Sequence, residues 1–131
     1  MSDKILTIDG DAISDIPSFY DEVNRVFMAG EDWKLGASLD ALNDMLYGGY
    51  GAIKGNEPVT LFWRNMERSR SALGLDATRA FYRAKLQRPE AFNLDRIRED
   101  LDRLECDGGP TYFEIVQQIL ADHPNIALRP E

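Results

Sequence analysis

Two aspartates four residues apart are the side chains whose spacing most suggests a function. Asp40 and Asp44 lie in the segment 38–47, where leucines recur at the spacing of one helix face. The predicted short helix buries those leucines, which are Leu39, Leu42 and Leu46. Its opposite side presents four other side chains, Asp40, Asn43, Asp44 and Tyr47. Two carboxylates on one helix face can bind a cationic surface through charge-assisted hydrogen bonds.

This acidic face costs the helix stability. Like charges at i and i+4 repel by roughly 0.2–0.5 kcal/mol, and the segment contains no Lys or Arg to offset them. Asp44 also lies in the last turns, where the helix dipole disfavours a carboxylate. Such a local conflict is often found at a functional surface, although a solvated helix face gives the same pattern.

No arrangement typical of an enzyme accompanies the aspartates. The single histidine, His123, precedes Pro124 at a predicted helix end, which indicates a structural role. Cys106 has no second cysteine and no nearby histidine, so neither a zinc site nor an activated thiol is supported. The run from Asp9 to Asp11 opens like a calcium loop, but Ile13 occupies the next ligand position. The glycines at 48–55 lack the order of a phosphate-binding loop. We therefore predict no enzyme, no metal and no cofactor.

Composition predicts one globular domain spanning residues 1–131. The hydrophobic fraction is 44% and the charged fraction is 29%, which excludes a disordered or collagen-like chain. No apolar run approaches the ~20 residues that a membrane span needs, and the N-terminus shows no secretory cleavage pattern. One cysteine fits a reducing compartment, so we expect a cytoplasmic protein that contacts no membrane.

The negative charge lies almost entirely in the first part of the chain. The net charge is −8, of which residues 1–50 carry −7 and residues 51–131 carry −1. Direct nucleic-acid binding is not expected, because that takes a basic face. A basic protein partner is the natural complement, and solubility alone is the other interpretation.

Strand and helix patterns alternate along the chain. Strands are predicted near residues 4–8, 59–63 and 125–129, with helical spacing between them. Strands separated by helices require crossover connections, so the fold class is α/β with a small parallel sheet packed by helices. Thr111 and Glu114 form a capping box at the start of the last helix.

Residues 75–109 are predicted to add two amphipathic helices, separated at Pro89. The second helix carries one apolar stripe, formed by Leu94, Ile97, Leu101 and Leu104. We expect this helical block to pack on the domain through that stripe.

A family resemblance is visible in the segment 36–48. It reads GASLDALNDMLYG and resembles the binding segment of barstar-type ribonuclease inhibitors, which has the form G-x-N-L-D-A-L-W-D-x-L-x-G. The first strand and turn, the second strand at 58–64 and the final helix and strand are also similar, so the resemblance covers about residues 4–74 and 110–129. Residues 75–109 have no counterpart in the short family members.

The resemblance implies a three-stranded parallel sheet and a protein that plugs the basic active site of a ribonuclease. It assigns Asp44 to the position where a substrate phosphate would lie, and it places Asp40, Ala41 and Gly48 at contact positions. The complete set of predicted partner-binding residues is Trp33, Leu35, Gly36, Ser38, Asp40, Ala41, Asn43, Asp44, Tyr47 and Gly48.

This chain departs from the family at the aromatic positions. Lys34 and Leu35 stand where the family commonly has two tyrosines, and Ser38 replaces an asparagine. Asn43 and Gly49 each replace a tryptophan. Gln118 falls roughly where an acidic residue of the last helix would reach the enzyme.

The predicted function is that of a proteinaceous inhibitor. Its predicted partner is a basic ribonuclease or a related toxin nuclease, whose active site the acidic helix and its preceding loop block. The alternative is an adaptor of the same fold that binds a non-nuclease basic protein.

Overall fold

The computed structural model describes residues 4–90 and 92–131. In this part of the chain the strands are β1 (Lys4–Asp9), β2 (Val59–Arg64) and β3 (Ile126–Pro130). The helices are α1 (Ile16–Phe27), α2 (Leu39–Leu46), α3 (Met66–Ala72), α4 (Leu75–Leu86), α5 (Leu94–Asp107) and α6 (Tyr112–Ala121). A short 3₁₀ helix, Gly10–Ala12, follows β1.

The three strands form one parallel sheet in the order β1-β2-β3, which confirms the predicted fold class. The register pairs Leu6 with Leu61 and Leu61 with Leu128. The three parallel strands are adjacent in the order of the chain. Because crossover connections between parallel strands are right-handed, both crossovers then lie on the same face of the sheet. That face is buried at Ile8, Leu61 and Trp63. The opposite face carries exposed or half-buried side chains, Ile5, Thr7, Thr60, Phe62, Ala127 and Arg129.

The main core lies between the buried sheet face and helices α1, α2 and α6. Trp63 is fully buried, with its indole N–H donating to Ser69 Oγ at 2.9 Å. Phe19 stacks on Trp63, with ring centroids 6.1 Å apart. The hydroxyls of Tyr20 on α1 and Tyr112 on α6 form a buried hydrogen bond of 2.5 Å. Burial raises the pKa of Tyr20 and raises that of Tyr112 to about 12, so both stay neutral.

Side-chain caps fix where the core helices begin. Asp15 accepts from the backbone N–H of Ser18 at 2.8 Å, and Ser18 Oγ accepts from the Asp15 N–H, which makes a capping box for α1. Hydrogen bonds from the Ser18 side chain and from the Ser18 backbone N–H lower the pKa of Asp15. The predicted capping box of Thr111 and Glu114 is present at the start of α6.

Helices α4 and α5 form the predicted helical block, but its packing differs from the expectation. Ile97 and Leu104 are buried against Tyr82 of α4, whereas Leu94 lies outside this cluster. The stripe of α5 therefore packs on α4 and not directly on the sheet. Phe81 of α4 packs against the main core, so α4 is the helix that joins this block to the rest of the domain.

The prediction of one domain over residues 1–131 stays a prediction. Residues 1–3 and 91 lie outside the described part of the chain. Within the part described, no helix is both long enough and apolar enough to cross a bilayer.

Candidate partner-binding site

Helix α2 is held by a cap at one end and by burial along one side. Ser38 is its N-cap, and Ser38 Oγ accepts from the backbone N–H of Ala41 at 3.0 Å. Leu42, Met45 and Leu46 are buried in the main core, and Leu39 and Ala41 pack against it half-buried. The predicted buried edge is thus present, with Met45 added. The opposite side of this eight-residue helix is held in a fixed orientation toward solvent.

Asp40 and Asp44 are exposed on that opposite side, as the spacing predicted. In the described part of the chain neither carboxylate forms an ion pair within 4.0 Å. Asp40 lies in the first turn, where the helix dipole favours it, and Asp44 lies near the C-terminal end, where the dipole does not. Both charges are therefore available to an external cation.

The loop before α2 is pinned to α1 by one asparagine. Asn24 Oδ1 accepts from the Leu35 N–H at 2.7 Å, and Asn24 Nδ2 donates to the Leu35 carbonyl at 3.3 Å. The Leu35 side chain is buried in the core. It therefore fixes the path of the loop and is not part of the exposed surface, although Gly36, which follows it, is exposed.

The turn after α2 requires glycine at Gly48. Its φ is +88°, and a Cβ there would lie 2.2 Å from the Gly55 carbonyl oxygen. The Gly55 N–H donates to the Gly48 carbonyl at 2.9 Å, which closes the loop. Gly48 thus has a structural reason for its identity, independent of any partner.

Two exposed aromatic side chains flank α2 in the chain. Trp33, in the loop before the helix, is 45% exposed, and Tyr47, directly after it, is 67% exposed. The Trp33 ring contacts the Tyr50 ring, with centroids 4.9 Å apart. Tyr47 packs edge-on against His123, with centroids 4.7 Å apart.

Asn43 points toward the body of the protein. Its Oδ1 lies 2.8 Å from His123 Nε2, and its side chain is half-buried. His123 is 4% exposed and follows α6, so the hydrogen bond joins α2 to the C-terminal end of α6. His123 therefore has the structural role that its position predicted.

The sequence alone did not predict a role for Tyr50 beside Trp33. A single large aromatic residue among the glycines of 48–55 is nevertheless a pattern that could have indicated one.

The charged side chains near α2 are of both signs. A groove of about 660 Å³ between α1 and the Trp33 loop is lined by three acids, Asp21, Glu31 and Asp32, and by two bases, Arg25 and Lys34. On the other side lies Lys85 of α4, whose pKa is lowered by burial while the charge of Asp40 acts against that shift. Lys85 also lies over the Phe81 ring, 4.2 Å from its centroid. Lys85 of α4 is thus a cation near the first turn of α2.

Metal chemistry finds no support in the side chains that the structure describes. Among residues 4–90 and 92–131, no three His, Cys, Asp or Glu side chains are grouped so that they could hold a metal ion. Cys106 is exposed and forms no disulfide.

Comparison with known proteins gives one finding. The family model described as Barstar (barnase inhibitor) matches residues 4–94, which include β1, α1, α2, β2, α3 and α4. The match extends past residue 74 into the helical block and does not include α6 and β3. A sequence search of curated proteins found no match.

Proposed function

Because the chain belongs to the barstar (barnase inhibitor) family, we propose that it inhibits a basic ribonuclease or a related toxin nuclease by blocking its active site. The blocking surface consists of α2 and the loop before it. The residues proposed to contact the partner are Trp33, Gly36, Ser38, Asp40, Ala41, Asp44, Tyr47 and Gly48. Two further residues, Leu35 and Asn43, contribute by fixing the backbone of this surface.

One observation carries this proposal. Asp40 and Asp44 are exposed on a helix whose other side is buried and whose flanking loops are hydrogen-bonded, and within residues 4–90 and 92–131 neither forms an ion pair within 4.0 Å. Carboxylates held in this way lose little conformational freedom on binding. Little of the favourable free energy of their attraction to an arginine- or lysine-rich cleft is therefore offset by an entropic cost. An active site that binds RNA phosphates is a cleft of that kind.

Family membership supports inhibition in preference to catalysis. The match is to a family of inhibitors. A cytoplasmic location is part of the proposal, since the exposed thiol of Cys106 is stable in a reducing compartment.

A cleavage assay tests the proposal. The purified chain is titrated into barnase and other small basic ribonucleases acting on a fluorogenic RNA. We expect cleavage by at least one enzyme to fall to zero near a 1:1 molar ratio. The double variant Asp40→Asn, Asp44→Asn, which keeps the side-chain shape and removes the charge, should lose that inhibition.

The control variant is Asp102→Asn, an exposed aspartate on α5. It should inhibit as the natural chain does. If excess chain leaves every ribonuclease fully active, the proposed function is wrong, and the adaptor of the same fold becomes the better interpretation.

A further inference from the structure

Exposed aromatic side chains are concentrated beside α2. In the described residues the large hydrophobic side chains that are exposed are Ile5, Trp33, Tyr47 and Leu75. Ile5 lies on the open sheet face and Leu75 begins α4, whereas Trp33 and Tyr47 flank the acidic helix on its two sides in the chain. Large aromatic side chains are the residue types that most often dominate binding energy at interfaces.

Each of these two rings is supported by a second ring. The Trp33 ring packs against the Tyr50 ring. The loops that contain these two residues are joined by a hydrogen bond, in which Glu31 Oε1 accepts from the Gly51 N–H at 3.1 Å. Gly51 is buried with φ of +85°, and a Cβ there would lie 3.0 Å from the Phe27 carbonyl oxygen. This close approach fixes the chain directly after Tyr50.

Tyr47 is supported in a comparable way. His123 is buried, packs against the Tyr47 ring, and is itself held by its hydrogen bond to Asn43. Asn43 occupies a position where the motif of the family has a tryptophan. Here its amide serves to hold the histidine that supports Tyr47, so the side chain acts on the surface indirectly.

We propose that Trp33 and Tyr47 are the residues through which this chain selects its partner, and that Tyr50 and His123 are positioning residues for them. This inference rests on the proposed function, because it concerns the same surface. It adds Tyr50 and His123, which lie outside the motif, and it says which side chains replace the aromatic contacts absent from positions 34, 35, 43 and 49. The partner is then a basic protein with an apolar or flat polar contact area on each side of its cleft.

The first test uses the free chain. The sequence contains two tryptophans, and the second, Trp63, is fully buried, so subtracting the emission of a Trp33→Phe variant isolates Trp33. We expect Tyr50→Ala to raise acrylamide quenching of Trp33 at least twofold and to lower its anisotropy. Tyr50→Phe, which keeps the ring, and Ile5→Ala should leave both unchanged. Equal quenching in Tyr50→Ala and the natural chain would overturn the positioning role of Tyr50.

The second test measures binding to a ribonuclease that the cleavage assay identifies. Trp33→Ala and Tyr47→Ala should each raise Kd at least tenfold, while Ile5→Ala, the truncation of an exposed apolar side chain on the open sheet face, stays within twofold. Tyr50→Ala should raise Kd in the natural chain but not in a Trp33→Ala background. His123→Ala should likewise have no further effect in a Tyr47→Ala background. Urea melting of each variant separates these effects from unfolding.

The outcomes distinguish failure of this inference from failure of the proposed ribonuclease inhibition. If the charge-removed α2 variant loses inhibition but Trp33→Ala and Tyr47→Ala keep their Kd, the inference is wrong and the proposed function stands. Additive effects in the double variants would overturn the positioning roles alone. If no ribonuclease is inhibited, the proposed function and the partner-selecting role both fail, and the quenching result still decides the role of Tyr50.

Discussion

Asp44 is exposed and occupies an unfavourable position in its own helix. It lies four residues after Asp40 and close to the C-terminal end of α2, so its charge opposes helix stability. We expect Asp44→Ala to weaken binding to the cognate nuclease by at least ~2 kcal/mol, the level of a central hot spot. The free energy of unfolding should stay unchanged or rise slightly. Calorimetry and urea melting on the same variant measure the two quantities.

Asp102→Ala is the matched control, because Asp102 is an exposed aspartate of α5, outside α2 and the loop before it. It should change neither quantity by more than about 0.5 kcal/mol. Unaltered affinity of Asp44→Ala would show that the plug mechanism is wrong for this protein. Equal losses of stability and binding would instead give Asp44 a structural role.

Glu22 is a buried carboxylate that links α1 to the end of β1. Its Oε2 accepts from the Asp9 N–H at 2.6 Å, and both carboxylate oxygens accept from Arg25 at 2.5–2.6 Å. Burial alone would raise the pKa of Glu22, but the hydrogen bonds from Arg25 and from the Asp9 N–H, with the charge of Arg25, outweigh it and lower the pKa. A lowered pKa in the folded state means that the ionised form stabilises the fold.

That stabilisation is complete above the ordinary glutamate pKa of ~4.3 and is lost as pH falls through the lower folded value. We expect Glu22→Gln to cost about 1–3 kcal/mol at pH 7, because it removes the charge-assisted hydrogen bonds. The difference from the natural chain should shrink between about pH 5 and pH 3. Urea melting across this range measures it.

Glu67→Gln is the control for Glu22, since Glu67 forms an exposed i,i+3 pair with Arg70. Its effect on unfolding should be small at every pH. A Glu22→Gln variant whose deficit stays constant down to pH 3 would show that packing, and not the charge, is what Glu22 supplies.

Some residues of the candidate site could be foreseen and others could not. Helical spacing was enough to place Asp40 and Asp44 on the exposed side, because a capped helix with one apolar edge has only one orientation on a core. The hydrogen bond of Asn43 to His123 joins residues 80 positions apart, which no local pattern shows. Leu35 lies in a loop without periodicity, so its burial was equally hidden.

At the scale of elements, the α4–α5 hairpin has a hydrophobic cluster of its own. Leu104 is 1% exposed and packs with Ile97 and Tyr82. We expect Leu104→Ala to cost about 2–4 kcal/mol locally and to speed amide exchange in α5 at least ~30-fold. Exchange at Leu61 in β2 should change little, because the main core does not contain Leu104.

Leu94→Ala removes a leucine of the same helix that lies outside the cluster, and it should leave exchange in α5 nearly unchanged. If Leu104→Ala speeds exchange in β2 as much as in α5, the hairpin and the sheet unfold as one unit, and the two hydrophobic clusters are not independent in stability.

The elements themselves were the most predictable level of this structure. The three strands, the break at Pro89 and the capping box at Thr111 all follow from local patterns. The packing of α5 was not predictable, because its stripe fits any apolar face. Tyr82 of α4 belongs to the hairpin cluster, and the adjacent Phe81 packs against both clusters, so only the folded chain shows where α5 packs.

At the scale of the whole molecule, the uneven charge should govern the rate of association. The net charge is −8, with the excess in residues 1–50, which include α1 and α2. We expect the association rate constant with a basic nuclease to fall at least ~10-fold between 50 and 500 mM NaCl. The dissociation rate constant should change much less, and stopped-flow fluorescence measures both.

Two double variants with the same net charge test the placement of that excess. Asp21→Lys, Asp32→Lys changes the groove beside Trp33, and Asp95→Lys, Asp102→Lys changes α5. Only the first should slow association markedly at low salt. Equal slowing by both would mean that total charge, and not its position, sets the rate.

The hairpin leaves and rejoins the fold at neighbouring points. The Phe113 N–H donates to the Leu73 carbonyl at 3.0 Å, and the Tyr112 N–H donates to Thr78 Oγ1 at 2.7 Å. The first hydrogen bond joins the two ends of the hairpin, whereas the second is made by Thr78 of α4, so α4 belongs to the closure. Doubling the length of such a closed segment costs only about 0.6 kcal/mol of closure entropy. The chain beyond α4, which includes α5, can therefore change in length at little entropic cost while the sheet and α2 keep their places.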